Sequence, residues 1–324
     1  VNISRNHYCP VNNVRGDLFG GLTAAVIALP MALAFGVASG AGPEAGLYGA
    51  ILVGFFAALF GGTPTLISEP TGPMTVVITG VITAMVASFD GDKAQAMPFV
   101  FTVVMLAGIF QIVIGLLKMG KYVTLMPYNV VSGFMSGIGI ILIILQIGPA
   151  LGQAAPAGGV LGTLQNLPEL VTNADPAAAF LATLTVLMIL FFPKGLRKFA
   201  PPQLVAMIVG TVLALTLLAG TDLKPIGDIP FSVPSLNFPV FEGSLARNML
   251  IDGVVLGMLG SIDALLTSVV ADSLTRTEHD SNKELVGQGI GNIMSGLLGG
   301  LPGAGATMGT VVNIQAGGRT ALSG

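Results

Sequence analysis

Between Asp17 and Glu44 the chain runs 26 residues without a charged side chain, and between Lys93 and Lys118 it runs 24. A helix needs about 20 apolar residues to cross the hydrocarbon core of a bilayer. Runs of this length place the chain in a membrane, because a helix facing water on one side is interrupted by charge every few residues. Composition agrees: 9% of the 324 residues are charged, where about 25% is usual in a soluble domain. One such run would be an anchor. Repeated along the chain, they leave no room for a soluble domain and predict an all-α polytopic bundle whose first partner is the lipid bilayer.

Read against their breakers, the apolar runs predict ten spans, at about 18–37, 44–60, 71–88, 98–117, 129–148, 176–193, 201–219, 248–271, 284–299 and 306–318. The third and tenth are too short to cross fully. Residues 149–175 read as an Ala/Gly/Pro-rich connection with a short surface helix around Leu161 to Val171, and 220–247 as a polar, Pro-rich one. With a retained cytoplasmic N-terminus over residues 1–17, ten of the 13 Lys and Arg residues fall on the inner side, as the positive-inside rule requires. The single cysteine, Cys9, excludes a disulfide framework, and a net charge of -3 carries no nucleic-acid footprint.

The chain also repeats itself. Laying GLYGAILVGFFAALFGGTP (46–64) over ELVGQGIGNIMSGLLGGLP (284–302) at an offset of 238 matches Leu47/Leu285, Gly49/Gly287, Leu59/Leu297, Gly61/Gly299, Gly62/Gly300 and Pro64/Pro302. At an offset of 235, Thr-Val-Val recurs at 75–77 and 310–312, and the first span falls on the eighth. A duplicated unit with an odd number of spans must insert the second time upside down. The expected organisation is a first seven-span repeat over 18–235 and the start of a second, inverted one over 245–324. A complete second unit would run about four spans beyond Gly324.

Both units carry the same interruption. LISEP (66–70), just after GG-x-P, and LPGAG (301–305), which completes GG-x-P, each precede a short helix, beginning near Thr71 and Ala306. Unpaired backbone within hydrocarbon costs several kcal/mol, so it survives only where it is buried in protein or lines a cavity. Proline and glycine can also be mere packing kinks in membrane helices; recurrence at matched positions favours a site. Two such breaks related by inversion bring two helix N-termini together at mid-membrane, where free amides and helix dipoles favour an anion.

Asp263 lies near the middle of the eighth span, in GSIDALLTSVVAD. A carboxylate there costs about 2.5–3.5 kcal/mol on insertion scales and is a functional candidate by default. Thr267, four residues on, shares its helical face. With backbone carbonyls of 301–305 they offer hard oxygens for a small cation. A proton carrier and a neutral, structurally hydrogen-bonded Asp are the competing readings, and Thr267 favours sodium. Glu69 is a further candidate, either facing the same cavity or standing at its wet wall. No Lys or Arg lies mid-span, so two helix ends of about half a charge each suit a monovalent anion better than a divalent one. Thr71, Gly72, Thr75, Ala304, Gly305, Ala306 and Thr307 surround the breaks with small residues and hydroxyls. These suit a compact anion that both donates and accepts hydrogen bonds, such as bicarbonate, and nitrate or chloride less completely.

An intramembrane enzyme needs a metal or a paired set of residues. His7 and His279 lie outside the spans, no H-E-x-x-H occurs, and only Glu69 could partner Asp263, so no cofactor and no catalysis are expected. An anion channel would use the same breaks but no cation site.

Taken together, PEAGLYGAILVG, GGTPTLISEPTGPMTVV, GSIDALLTSVVAD and GGLPGAGATMGTVVNIQAGGRT resemble the sulfate permease (SulP) family of anion transporters over nearly the whole chain. Asp263 with Thr267, and the absence of a basic residue at the start of the tenth span, are most similar to its sodium-dependent bicarbonate members from cyanobacteria. The resemblance implies a fold of seven plus seven inverted spans, with a core (spans 1 to 4 and 8 to 11) moving against a gate (5 to 7 and 12 to 14). It also implies a homodimer in the bacterial plasma membrane and a cytoplasmic STAS domain beyond the last span. By matching motif, sodium would be held by Asp263, Thr267, the backbone of Gly305 and Gly309, and Thr307. The anion would lie between Thr71 to Thr75 and Ala306 to Met308. Proton-coupled transport, and exchange of sulfate, nitrate or chloride, remain open on the same architecture.

Overall fold

A computed structural model describes residues 13–123, 128–153, 156, 159–193, 202–216, 218, 220–221, 234–243 and 245–324. Residues 1–12 of the expected cytoplasmic segment and 222–233 of the expected polar connection lie outside them. In chain order the helices are α1 (Val14–Ser39), α2 (Pro43–Phe60), α3 (Gly72–Ser88), α4 (Lys93–Leu116), α5 (Gly120–Val123), α6 (Tyr128–Leu145), α7 (Ile147–Ala150), α8 (Gly159–Gln165), α9 (Leu167–Thr172), α10 (Pro176–Leu190), α11 (Pro202–Thr216), α12 (Ala246–Thr275), α13 (Ser281–Leu297) and α14 (Thr307–Ala316). Two-residue strands β1 (Ser68–Glu69) and β2 (Ala304–Gly305) interrupt them.

A helix stands at each of the ten expected spans. Among the described residues four, α1, α2, α4 and α12, are long and apolar enough to cross a membrane. The third and tenth are short as expected, 17 residues in α3 and 10 in α14. The surface helix between spans five and six is two short ones, α8 and α9.

Helix ends follow local chemistry. Asp92 and Asp280 cap α4 and α13 by accepting from the amides two and three residues on. Gly40 and Gly317 close α1 and α14 in the left-handed region, at φ 80 and 114. Pro73 stands in the first turn of α3, where the missing amide would have had no helical partner.

The chain forms two compact units, Val1–Gly139 with Ile229–Gly324, and Ile140–Asp228. In the second, α10 packs on α11 and α7. In the first, α13 packs most extensively on α4 and α2, and α12 on α4. The closeness of α13 and α4 rests on glycine: a methyl group on Gly108 would lie 2.5 Å from the Gly289 carbonyl, and one on Gly289 2.5 Å from the Gly108 carbonyl.

The duplication is visible in the packing. β1 and β2 pair antiparallel, Ser68 opposite Gly305 and Glu69 opposite Ala304. A two-fold axis that carries Ser68 onto Ala304 and Glu69 onto Gly305 leaves this ladder unchanged. Gly49 and Gly287, equivalent in the sequence repeat, each lie against the other repeat's GG-x-P segment. A Cβ on Gly49 would meet the Leu301 carbonyl at 2.6 Å, and one on Gly287 the Gly61 amide at 2.5 Å.

Candidate functional site

The site forms where the two breaks meet α12. After β1 the chain stays extended through Thr71 and then opens α3; after β2 it stays extended through Ala306 and then opens α14. Neither helix start has a capping side chain. The first-turn amides of α3 that remain are those of Gly72 and Met74, since Pro73 has none; in α14 they are those of Thr307, Met308 and Gly309.

Both starts are tied to adjacent turns of α12. The Thr71 hydroxyl donates to Asp263 Oδ2 at 2.7 Å. One turn further along, Thr267 Oγ1 donates to the Gly305 carbonyl at 2.9 Å and lies 2.9 Å from Thr307 Oγ1. Thr267 has one hydroxyl proton and it goes to Gly305, so Thr307 is the donor in the second contact. Residues four apart on a helix have Cβ atoms about 5–6 Å apart, which brings the starts of α3 and α14 within about one helical turn of each other. Asp263 is 6% exposed and Thr267 fully buried, whereas Thr307 and Met308 are exposed, so the cluster opens at the start of α14.

The expected residues thus come together, with distinctions. Asp263, Thr267, Gly305 and Thr307 form one set of hard oxygen donors, and Gly309 lies in the same first turn of α14. Thr75 donates its proton to the Thr71 carbonyl at 2.8 Å and Thr71 gives its own to Asp263, so main-chain amides are the free donors. Glu69 is 2% exposed, not at a wet wall. Its Oε1 lies 3.5 Å from where a Cβ on Gly309 would sit, and no described group donates to its Oε2. Among the described residues no cluster of three His, Cys, Asp or Glu side chains could hold a metal ion.

Sequence reasoning placed α13 as a span but missed its polar face. Its residues Glu284, Gln288, Asn292 and Ser295 line one face and are at most 1% exposed. Glu284 Oε2 accepts from the Gly62 and Thr63 amides at 2.9 and 2.8 Å. Gln288 donates to Ser68 Oγ at 2.6 Å. Asn292 Oδ1 accepts from Gly303 N at 2.8 Å, its Nδ2 donates to Gly303 O at 3.0 Å, and Ser295 donates to Leu301 O at 2.6 Å. This stripe satisfies the backbone that the breaks leave unpaired. Its signal was the spacing 284, 288, 292: polar side chains every four residues within a segment read as a span.

The sulfate permease family matches the chain over residues 14–324. The bicarbonate transporter BicA of Synechocystis sp. (strain ATCC 27184 / PCC 6803 / Kazusa) is 70% identical over 312 residues, 96% of this chain and 55% of the relative. That of Picosynechococcus sp. (strain ATCC 27264 / PCC 7002 / PR-6) is 67% identical over 314 residues, again 96% and 55%. The chain therefore spans about half the length of the curated relatives it matches. Among solved structures, the transmembrane domain of a cyanobacterium bicarbonate transporter BicA superimposes with a TM-score of 0.92 at 68% identity, over 98% of this chain and 80% of that one. The structure of SLC26A9 superimposes at 0.79 with 18% identity, over 98% of this chain and 52% of that one, and shows the fold alone. Over its ten spans the fold follows the seven-plus-seven inverted-repeat architecture of these neighbours, with half-helices at the third and tenth positions. A match over nearly the full chain, with this fold, makes it an integral membrane protein that belongs to the sulfate permease family.

Proposed function

We propose that the chain carries the ion-coupling site of a secondary active transporter that moves sodium together with a small monovalent anion, bicarbonate in the first place. One observation carries the reading: Asp263 and Thr267, a turn apart on α12, each hold one of two uncapped half-helix starts. A cation among the oxygens of Asp263, Thr267, Gly305, Thr307 and the Gly309 backbone would neutralise the one carboxylate in this set. The adjoining amides of Gly72, Met74, Thr307 and Met308 would then face an anion with the dipoles of two helices behind them.

Coupling follows from charge. With only the anion bound, Asp263 repels it; with only sodium bound, the free amides lack an acceptor; with both, each ion supplies what the other leaves unbalanced. A state exposed to the other side of the membrane is then favoured when both ions are present. The substrate crosses chemically unchanged, so the residues bind and release rather than catalyse. No Lys or Arg lies within Gly72–Ser88 or Thr307–Ala316, which supports a singly charged anion over a doubly charged one. The names of the two cyanobacterial relatives, at 70% and 67% identity, support bicarbonate.

The test is uptake of labelled bicarbonate by vesicles carrying the protein, with inward sodium or with potassium in its place, for wild type and Asp263→Asn. Uptake that requires sodium and is lost in Asp263→Asn is the expected result. Wild-type uptake indifferent to sodium would overturn the symport reading.

A further inference from the structure

The segment from Gly303 to Gly305 is built so that it cannot hold itself in place. Two of its three residues are glycines, which lose more conformational freedom on ordering than any other residue. Both sit close against neighbouring backbone: a Cβ on Gly303 would lie 2.9 Å from the Glu69 backbone and force a shift, and one on Gly305 would lie 3.1 Å from Ala264 Cα, a tight approach. Yet the Gly305 carbonyl must point at Thr267 for the cation site to exist.

On one edge the segment is held by β1, where Glu69 pairs with Ala304. Beyond that ladder the Thr267 hydroxyl holds the Gly305 carbonyl, and one side chain of α13 holds Gly303. Asn292 takes the Gly303 amide at 2.8 Å and returns a proton to the Gly303 carbonyl at 3.0 Å, a two-point contact of the kind a neighbouring strand would make. Its own amide is fixed in turn: Nδ2 lies 2.9 Å from Gln111 Oε1 on α4 and 3.1 Å from the Gln288 carbonyl on its own helix. Asn292 is fully buried.

We propose that Asn292 is a positioning residue for the cation site: by clamping Gly303 it sets the direction of the Gly305 carbonyl two residues on. The inference rests on the sodium reading above. Partners that orient the ligands of an ion are worth about 10–100-fold in its affinity when removed, although they never touch it.

The experiment measures uptake by wild type and Asn292→Ala, varying sodium at saturating bicarbonate and bicarbonate at saturating sodium. Sodium-induced thermal stabilisation of the purified proteins is followed as a readout that does not need transport. The expected result for Asn292→Ala is a sodium half-saturation raised about 10–100-fold, a sodium-induced stabilisation displaced to correspondingly higher concentration, and a bicarbonate KM little changed once sodium saturates. Gln111→Leu, which removes one support of the Asn292 amide but keeps both contacts to Gly303, is expected to raise the sodium half-saturation by less than Asn292→Ala does. Unchanged sodium dependence in folded Asn292→Ala overturns the proposal, as does a parallel rise of both constants, which would mark general loosening. If Asn292→Ala does not fold, Asn292→Ser takes its place, and failure of both would show a role in folding instead of positioning. A wild type indifferent to sodium in both assays would overturn the sodium reading itself, an outcome visible without any variant.

Discussion

Three buried carboxylates lie near the breaks; Glu284 is taken up by the Gly62 and Thr63 amides, and their surroundings separate the other two. Asp263 receives the Thr71 hydroxyl and stands a turn from Thr267, whereas Glu69 Oε2 has no donor among the described residues. On the reading proposed above, coupling belongs to Asp263. Glu69→Gln is expected to retain sodium-dependent uptake within about threefold, a change of under 1 kcal/mol, while Asp263→Asn abolishes it; sodium titration of uptake in the two variants compares them directly. Thr267 admits a finer test. Valine there keeps the volume and deletes the hydroxyl, taking the donor from the buried Gly305 carbonyl at a cost of about 1–3 kcal/mol. Thr267→Val should melt lower than wild type and lose sodium affinity, and Thr267→Ser should recover most of both. Equal melting and equal sodium affinity in all three proteins would contradict the hydrogen bonds drawn here.

At the scale of elements, α13 carries more than its own helix. Glu284 satisfies two buried amides where α2 ends, so Glu284→Leu leaves both unpaired at about 1–3 kcal/mol each. The expected outcome is a large loss of monodisperse protein on detergent extraction, read by size-exclusion chromatography, with Glu284→Gln, which keeps one acceptor, partly rescued. The breaks themselves were legible in the sequence, because proline and glycine at 64–73 and 301–305 forbid a continuous helix whatever surrounds them. So was Asp263, because a charge amid a long apolar run has few innocent explanations. The α13 stripe was harder to read, since Gly-rich packing and polar satisfaction use the same residues and a repeat alignment scores only identity. The ladder between β1 and β2 was not legible at all: two residues are too few for alternation to show. Helix α12 also exceeds its expected span at both ends, from 246 to 275, because Arg247 and Asp272 continue the helix where the hydrocarbon would already have ended.

Across the whole molecule, orientation is a charge question that the packing sharpens. Gly120 N donates to Asn282 Oδ1 at 3.0 Å, which places Lys118 and Lys121 at the same end of the first unit as Arg276 and Lys283. Arg319 N and the Thr320 hydroxyl donate to Asp17 at 2.7 and 2.6 Å, which joins Arg15 to Arg319. Asp280 N, 3.2 Å from the Gly62 carbonyl, brings the end of α2 to the α12–α13 connection. Since α2 ends on the side where α1 begins, all six cations share one face, and Lys93 at the start of α4 lies on the other. Clustered Lys and Arg next to spans stay on the cytoplasmic side. Cys9 is the single cysteine of this chain and precedes α1 in sequence, so it offers a site at which to read the orientation. A membrane-impermeant maleimide is expected to spare Cys9 in intact cells and to label it in inside-out vesicles. A cysteine introduced at Lys93 in a Cys9→Ser background should show the reverse. Labelling of Cys9 from outside would invert the whole assignment.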